Sequence, residues 1–199
     1  MNQSLVLRSI LLATTLLSAS LAGGQKYSGP KCLGLYCIDR DTLVSDLLKK
    51  LGPPPARSSE FAPYCYESKE QKAFLYLRSA EAVPPTVDAT LLSDFPICAN
   101  MPVAFAKDEL NGWKTPQGIG LGSSEQEVLH AYGKPSREEK IDSRIYKQLI
   151  KGYKKGDPLP DAGEKELVYG AGATAGDLSL ARFGMRNGKV SYIWLSYSE

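Results

Sequence analysis

Residues 118–136 read GIGLGSSEQEVLHAYGKPS, with glycines at 118, 120 and 122 running into a double serine and a short apolar stripe. Two structures compete for such a stretch: a phosphate-binding loop and the entry to a helix. A Walker loop needs a lysine followed by Ser or Thr where the helix opens, and a dinucleotide fingerprint needs G-x-G-x-x-G. Here the spacing is G-x-G-x-G, and no lysine lies between the glycines and the helix. Ser124 and Glu127 instead have the spacing of a capping box, in which serine oxygen takes the N3 amide and the glutamate reaches back. Gly133 and Pro135 close the segment. The stretch reads as a short helix with a capped start rather than as a nucleotide-binding loop.

The same pattern occurs earlier. TLVSDLLKKLGPP (42–54), displaced by 81 residues, lays Leu47 on Val128, Leu48 on Leu129, Gly52 on Gly133 and Pro54 on Pro135. Further on, VDATLLSDF (87–95) resembles VSYIWLSYS (190–198) at a displacement of 103, so that Leu92 meets Leu195 and Ser93 meets Ser196. The change in displacement implies about 22 extra residues in the second copy, and the polar, turn-rich KGYKKGDPLPDAGEKE (151–166) supplies them. Each copy reads as a helix followed by strands. Leu43, Leu47, Leu48 and Leu51 line one face of the first helix. YCY, AFLYL and VDATLLSDF give strand material in the first copy; KELVYG, DLSLARFGM and VSYIWLSY give it in the second. Asn187-Gly188 is a two-residue hairpin signal. SRIYKQLIKGY has Ile145, Tyr146, Leu149, Ile150 and Tyr153 at helical spacing, while the alignment of the two copies also allows a strand there; helix is the reading taken.

Before these copies, the chain opens MNQSLVLRSILLATTLLSASLAGGQ, with Arg8 ahead of an apolar run and small residues Ser20 and Ala22 after it. This is the build of a signal peptide over residues 1–22, too short and too diluted by Ser and Thr to span a bilayer. The expected location is periplasmic or secreted. The chain has 24 basic and 22 acidic residues, and removal of Arg8 leaves 23 against 22. So even a balance argues against a nucleic-acid binder, whose footprint is a strongly basic face.

Cys32, Cys37, Cys65 and Cys98 are the four cysteines. In an oxidising compartment they read as two disulfides, for which three pairings exist. The expectation is Cys65–Cys98 between strands and Cys32–Cys37 around a small loop. Zinc is a poor fit, because Cys65 and Cys98 lie far apart and His130 is the sole histidine. That histidine, inside the short helix between Leu129 and Ala131, reads as a partly exposed helix residue rather than the base of a triad. The pairs Asp39/Asp41 and Glu138/Glu139 fall in turn-like, solvated stretches. No catalytic residue, cofactor or metal is expected.

Taken whole, GIGLGSSEQEVLHAYGKPS (118–136) and RFGMRNGKVSYIWLS (182–196) resemble the motif and closing strands of SmpA/OmlA (BamE)-type bacterial envelope domains. A tandem pair is similar to the β-lactamase inhibitor protein (BLIP) arrangement. The resemblance spans roughly residues 117–199 and, more faintly, 36–98. It implies an α+β fold of two tandem modules, each a short helical layer packed on an antiparallel sheet: a disulfide-stapled first module at 23–104 and a second at 105–199 with the 151–166 insert. It also implies work by protein binding. The chain has no acylatable cysteine after the small residues, unlike BamE lipoproteins.

The functional expectation is an exported, non-enzymatic binding or envelope-interaction protein whose partner is another envelope or extracellular protein. A secreted hydrolase with a cleft between modules, and an inhibitor of an extracytoplasmic enzyme, are the alternatives. Binding candidates are of two kinds. One is the basic stretch after Ser143, with Tyr146, Lys147, Lys151, Tyr153, Lys154 and Lys155 and no acidic residue. The other is the set of strand aromatics Tyr64, Tyr66, Tyr76, Tyr192, Trp194 and Tyr197, since Tyr and Trp supply rigid contact area.

Overall fold

The computed structural model describes residues 29–37, 42–55, 63–70, 72–80, 84–98, 101–107, 109–141, 160–170 and 179–197. A small ribbon, β1 (Cys32–Leu33) and β2 (Tyr36–Cys37), comes first, followed by helix α1 (Val44–Leu51). Strands β3 (Tyr64–Glu67), β4 (Phe74–Ser79), β5 (Val87–Ser93) and β6 (Ala104–Phe105) complete the first half. The second half holds helix α2 (Glu125–Tyr132) and strands β7 (Arg137–Lys140), β8 (Lys165–Gly170), β9 (Leu180–Arg186) and β10 (Lys189–Ser196).

Eight strands form one sheet in the order β6-β3-β4-β5-β10-β9-β8-β7. Every neighbouring pair is antiparallel except β3 with β6. This corrects the expected fold class. The described chain is mostly β, with two α-helices of eight residues each, and it is not two helix-on-sheet modules. The overturning feature is the ladder between β5 and β10, five residue pairs long, which makes the last strands of both halves neighbours in one sheet. Residues of α1, α2 and the strands of both halves then share a single apolar cluster. Helices of barely two turns bury too little to form layers of their own.

That central ladder has internal regularity. Displaced by 103, Leu91 falls on Trp194, its own partner across the ladder. By the same shift the pair Thr90–Leu195 falls on Ile193–Leu92, and Ala89–Ser196 on Tyr192–Ser93. The stretches that resemble one another in sequence are therefore paired about a local two-fold axis. Residue 104, where the halves were divided, lies in β6 at the sheet edge. Lys165 and Glu166, placed in the insert, belong to β8; residues 151–159 lie outside the described residues.

Local chemistry explains the elements. At α2, the Ser124 side chain accepts from the Glu127 amide at 3.2 Å, and the Glu127 carboxylate accepts from the Ser124 amide at 2.6 Å. Gly133, at φ 72°, ends the helix by donating to the Leu129 carbonyl at 2.8 Å. In α1, Val44, Leu47 and Leu51 form the buried stripe. Asn187 (φ 52°) and Gly188 (φ 71°) both take the left-handed conformation between β9 and β10, as the hairpin signal requires. The short strands β1, β2 and β6 and the strand β7 were not anticipated; β7, Arg-Glu-Glu-Lys, carries no apolar residue and closes the sheet edge with charge, a common defence against edge pairing.

Strand alternation divides the side chains between two faces. One face meets the helices through Tyr66, Leu75, Leu92, Tyr169, Phe183, Ile193 and Leu195. The other carries a second cluster of Cys65, Phe74, Leu91 and Tyr192, covered by Phe95, Ile97 and Cys98 from the segment after β5. Replacing Ser124 with alanine removes the α2 cap and is expected to cost about 1 kcal/mol, read as a shift in the urea midpoint with unchanged slope.

Candidate functional site

The face away from the helices is ordered in rows that the strand registers define. One row runs Cys65–Tyr76–Leu91–Trp194–Arg182–Val168–Arg137 across seven strands, from β3 to β7. The next runs Glu67–Phe74–Ser93–Tyr192–Gly184–Glu166–Glu139. Apart from Glu67 and Ser93, apolar and aromatic residues occupy the β3–β10 side, and charges gather on the β9–β7 side.

Those charges form a network. Arg182, 8% exposed, donates from one guanidinium nitrogen to Glu166 at 2.5 Å and to Glu139 at 3.0 Å. Glu166, 3% exposed, also accepts from the Tyr192 hydroxyl. Tyr192 reaches it because its ring lies over Gly184, where any Cβ would collide with that ring. The Arg182 guanidinium sits 5.4 Å from the centre of the Trp194 ring. Burial works against the Arg182 charge, but Glu166 and Glu139 outweigh it and raise its pKa. Arg137 braces Glu139 from the edge strand at 2.5 Å.

Trp194 and Tyr76 are half-buried, one strand to either side of Leu91. They are the members of the expected aromatic set that the sheet face opposite α1 and α2 presents. Tyr64, Tyr66 and Tyr192 are buried, and the Tyr66 hydroxyl is spent on the Gly52 carbonyl at 3.3 Å. Beside the rows, Asp94 pairs with Arg186 at 2.5 Å; its burial raises the carboxyl pKa against the pull of that arginine.

A separate cleft of about 350 Å³ opens where α2, β7, β8 and the β9–β10 turn meet, over Met185. Its carboxylates already have partners. Glu125 and Glu138 hold Lys165 at 2.7 and 3.4 Å, Glu139 holds Arg182, and Glu164 accepts from the Asn187 amide. Glu138 and Glu139 thus stand in an ion-paired edge strand rather than in the solvated turn that their sequence suggests. All the residues around this cleft come from the second half of the chain. His130 is exposed at the end of α2. Among the described residues no three His, Cys, Asp or Glu side chains gather as metal ligands.

The cysteines pair as Cys32–Cys37 and Cys65–Cys98, with S–S distances of 2.03 and 2.14 Å. Two disulfides fit an oxidising compartment. Among the described residues no helix is long and apolar enough to cross a membrane. The basic-stretch candidates Tyr146, Lys147, Lys151, Tyr153, Lys154 and Lys155 lie outside the described residues, as do residues 1–22 and the pair Asp39/Asp41.

Arg182 and Glu166 are not among the candidates read from the sequence, and Glu139 enters it only in the pair Glu138/Glu139, although DLSLARFGM carries a usable signal for the arginine. Ala181, Phe183 and Met185 alternate with Arg182 and Gly184, which places a charge on one face of a strand with an apolar opposite face. No protein-family model, curated protein or solved structure matches the chain.

Proposed function

We propose that this is an exported, non-enzymatic binding protein of the periplasm or extracellular space. It engages another envelope or extracellular protein through the sheet face opposite α1 and α2. The observation that carries this reading is the pair Tyr76 and Trp194. Both are half-buried on one face, separated by buried Leu91, and Trp194 is flanked by a buried charge network. Large aromatics held rigid in partly desolvated surroundings are the residues that dominate binding energy at protein interfaces. The resemblance of residues 118–136 and 182–196 to BamE- and BLIP-type domains favours the same class of activity.

The test is affinity capture from an envelope extract by the mature protein, with mass spectrometry of what is retained. Tyr76→Ala with Trp194→Ala is expected to weaken retention of the partner by about thirtyfold or more, the loss of one hot spot. Thermal melts check that the variant stays folded. A parallel variant replaces Lys147, Lys151 and Lys154 with glutamate. If retention survives the aromatic substitutions but fails in this variant, the contact belongs to the basic stretch instead. Retention unchanged in both overturns the reading.

A further inference from the structure

Among the described residues, the pairing of Arg182 with Glu166 is the ion pair with both side chains nearly out of water, at 9% and 4% exposure. Such a pair is costly. Taking two charges out of water consumes most of their attraction, and an apolar replacement of similar volume is often as stable or more so. A sheet face that already buries Leu91 and Val168 could have continued with apolar side chains at 166 and 182. Stability alone does not account for the charges.

The disposition of Arg182 supplies a reason. Both of its ion-pair contacts use the same terminal nitrogen, and its Nε is buried without a hydrogen-bond partner. A guanidinium selected only for pairing would turn its Nε–H to an acceptor. Here it lies beside the Trp194 ring, directly across the β9–β10 ladder. Glu166 is fixed in turn by the Tyr192 hydroxyl, and Tyr192 is seated by the absence of a side chain at Gly184. A chain of contacts from Gly184 to Tyr192 to Glu166 to Arg182 therefore ends on the half-exposed indole.

The geometry points to Arg182 as a positioning residue that holds Trp194 in one orientation, with Glu166 and Tyr192 holding Arg182. This rests on the reading of Trp194 as a binding anchor. A pre-set anchor loses less conformational freedom when a partner arrives, and immobilising a free side chain costs about 0.5–1.5 kcal/mol.

The experiment uses ¹⁵N-labelled mature protein, in which the two tryptophans give two indole N–H signals; Trp194→Phe assigns them. Arg182→Lys keeps the charge but removes the guanidinium beside the ring, and Arg182→Met combined with Glu166→Gln removes the charges together. Trp194 in the native protein is expected in the rigid range, an order parameter of about 0.85, and to fall below about 0.6 in the double variant. Arg182→Lys falls between them, while the Trp113 signal stays put. Partner retention drops about two- to tenfold in step with the order parameter. Equal rigidity of Trp194 in folded variants overturns the inference. Arg182→Lys decides it alone if the double variant does not fold. If Trp194 loosens while retention is unchanged, the positioning role stands and the binding reading fails.

Discussion

Replacing Glu166 with alanine is expected to lower the folding free energy by about 3–5 kcal/mol, the cost of breaking a buried pair from one side. Three losses coincide there. Arg182, 8% exposed, keeps its charge but loses its closest counter-ion and is left with Glu139, whose side chain is 29% exposed. The Tyr192 hydroxyl, buried within the sheet face, loses its acceptor. The space left by the side chain sits under residues that the strands hold apart. In urea, with a slope of about 2 kcal/mol/M, the midpoint falls by about 2 M. Glu166→Gln keeps the shape and an acceptor for Tyr192, so it costs less than alanine. The paired change with Arg182→Met, which leaves no charge stranded at 166 or 182, costs least. A drop below about 1 kcal/mol for Glu166→Ala would show that Glu139 alone neutralises Arg182.

The order of those three variants turns on a network whose parts were visible in the sequence but whose assembly was not. Glu166 and Arg182 are 16 residues apart, and Glu139 is 43 from Arg182. They meet because β7, β8 and β9 lie side by side in one register. Local signals were strong: the Ser124–Glu127 capping box and the Asn187-Gly188 turn each arise within a few residues and each formed as read, and the strand read in DLSLARFGM stands as β9 from Leu180 onward. Register between distant strands has no such local source. The edge of β5 meets β10 rather than solvent, yet nothing in VDATLLSDF or VSYIWLSYS distinguishes an edge from a centre. So two modules were expected where one sheet stands.

Two other departures have the same physical root. Arg137–Lys140 has no apolar residue, and only its place against β8 makes it a strand. Composition also overcounted the exposed aromatics. Tyr64 and Tyr66 share a face because they are two residues apart in a strand, and that face is the one beneath the helices. Cys65, between them, points the other way, where its disulfide draws Cys98 across the sheet. The same alternation that hid the tyrosines sets the position of the staple.

Removing that staple is the second large effect. Cys65 and Cys98 are 33 residues apart in sequence. Closing a loop of that size restricts the unfolded chain enough to contribute about 3–4 kcal/mol on the chain-entropy account. Cys32 and Cys37, five apart, contribute about 2 kcal/mol by the same reasoning. The long-range bond also does work in the folded state. It holds the segment carrying Phe95 and Ile97 over Leu91 and Tyr192, with the Phe95 ring edge-on to Tyr192 at 6.0 Å. Cys65→Ala with Cys98→Ala is therefore expected to lower the melting temperature by about 10 °C, at about 2–4 °C per kcal/mol for a chain of this length. Cys32→Ala with Cys37→Ala should lower it by roughly half as much. Calorimetry under non-reducing conditions measures both. If the two double variants melt together, loop closure does not set the contribution, and packing around the ribbon of Leu33 and Tyr36 matters as much as the segment over the sheet.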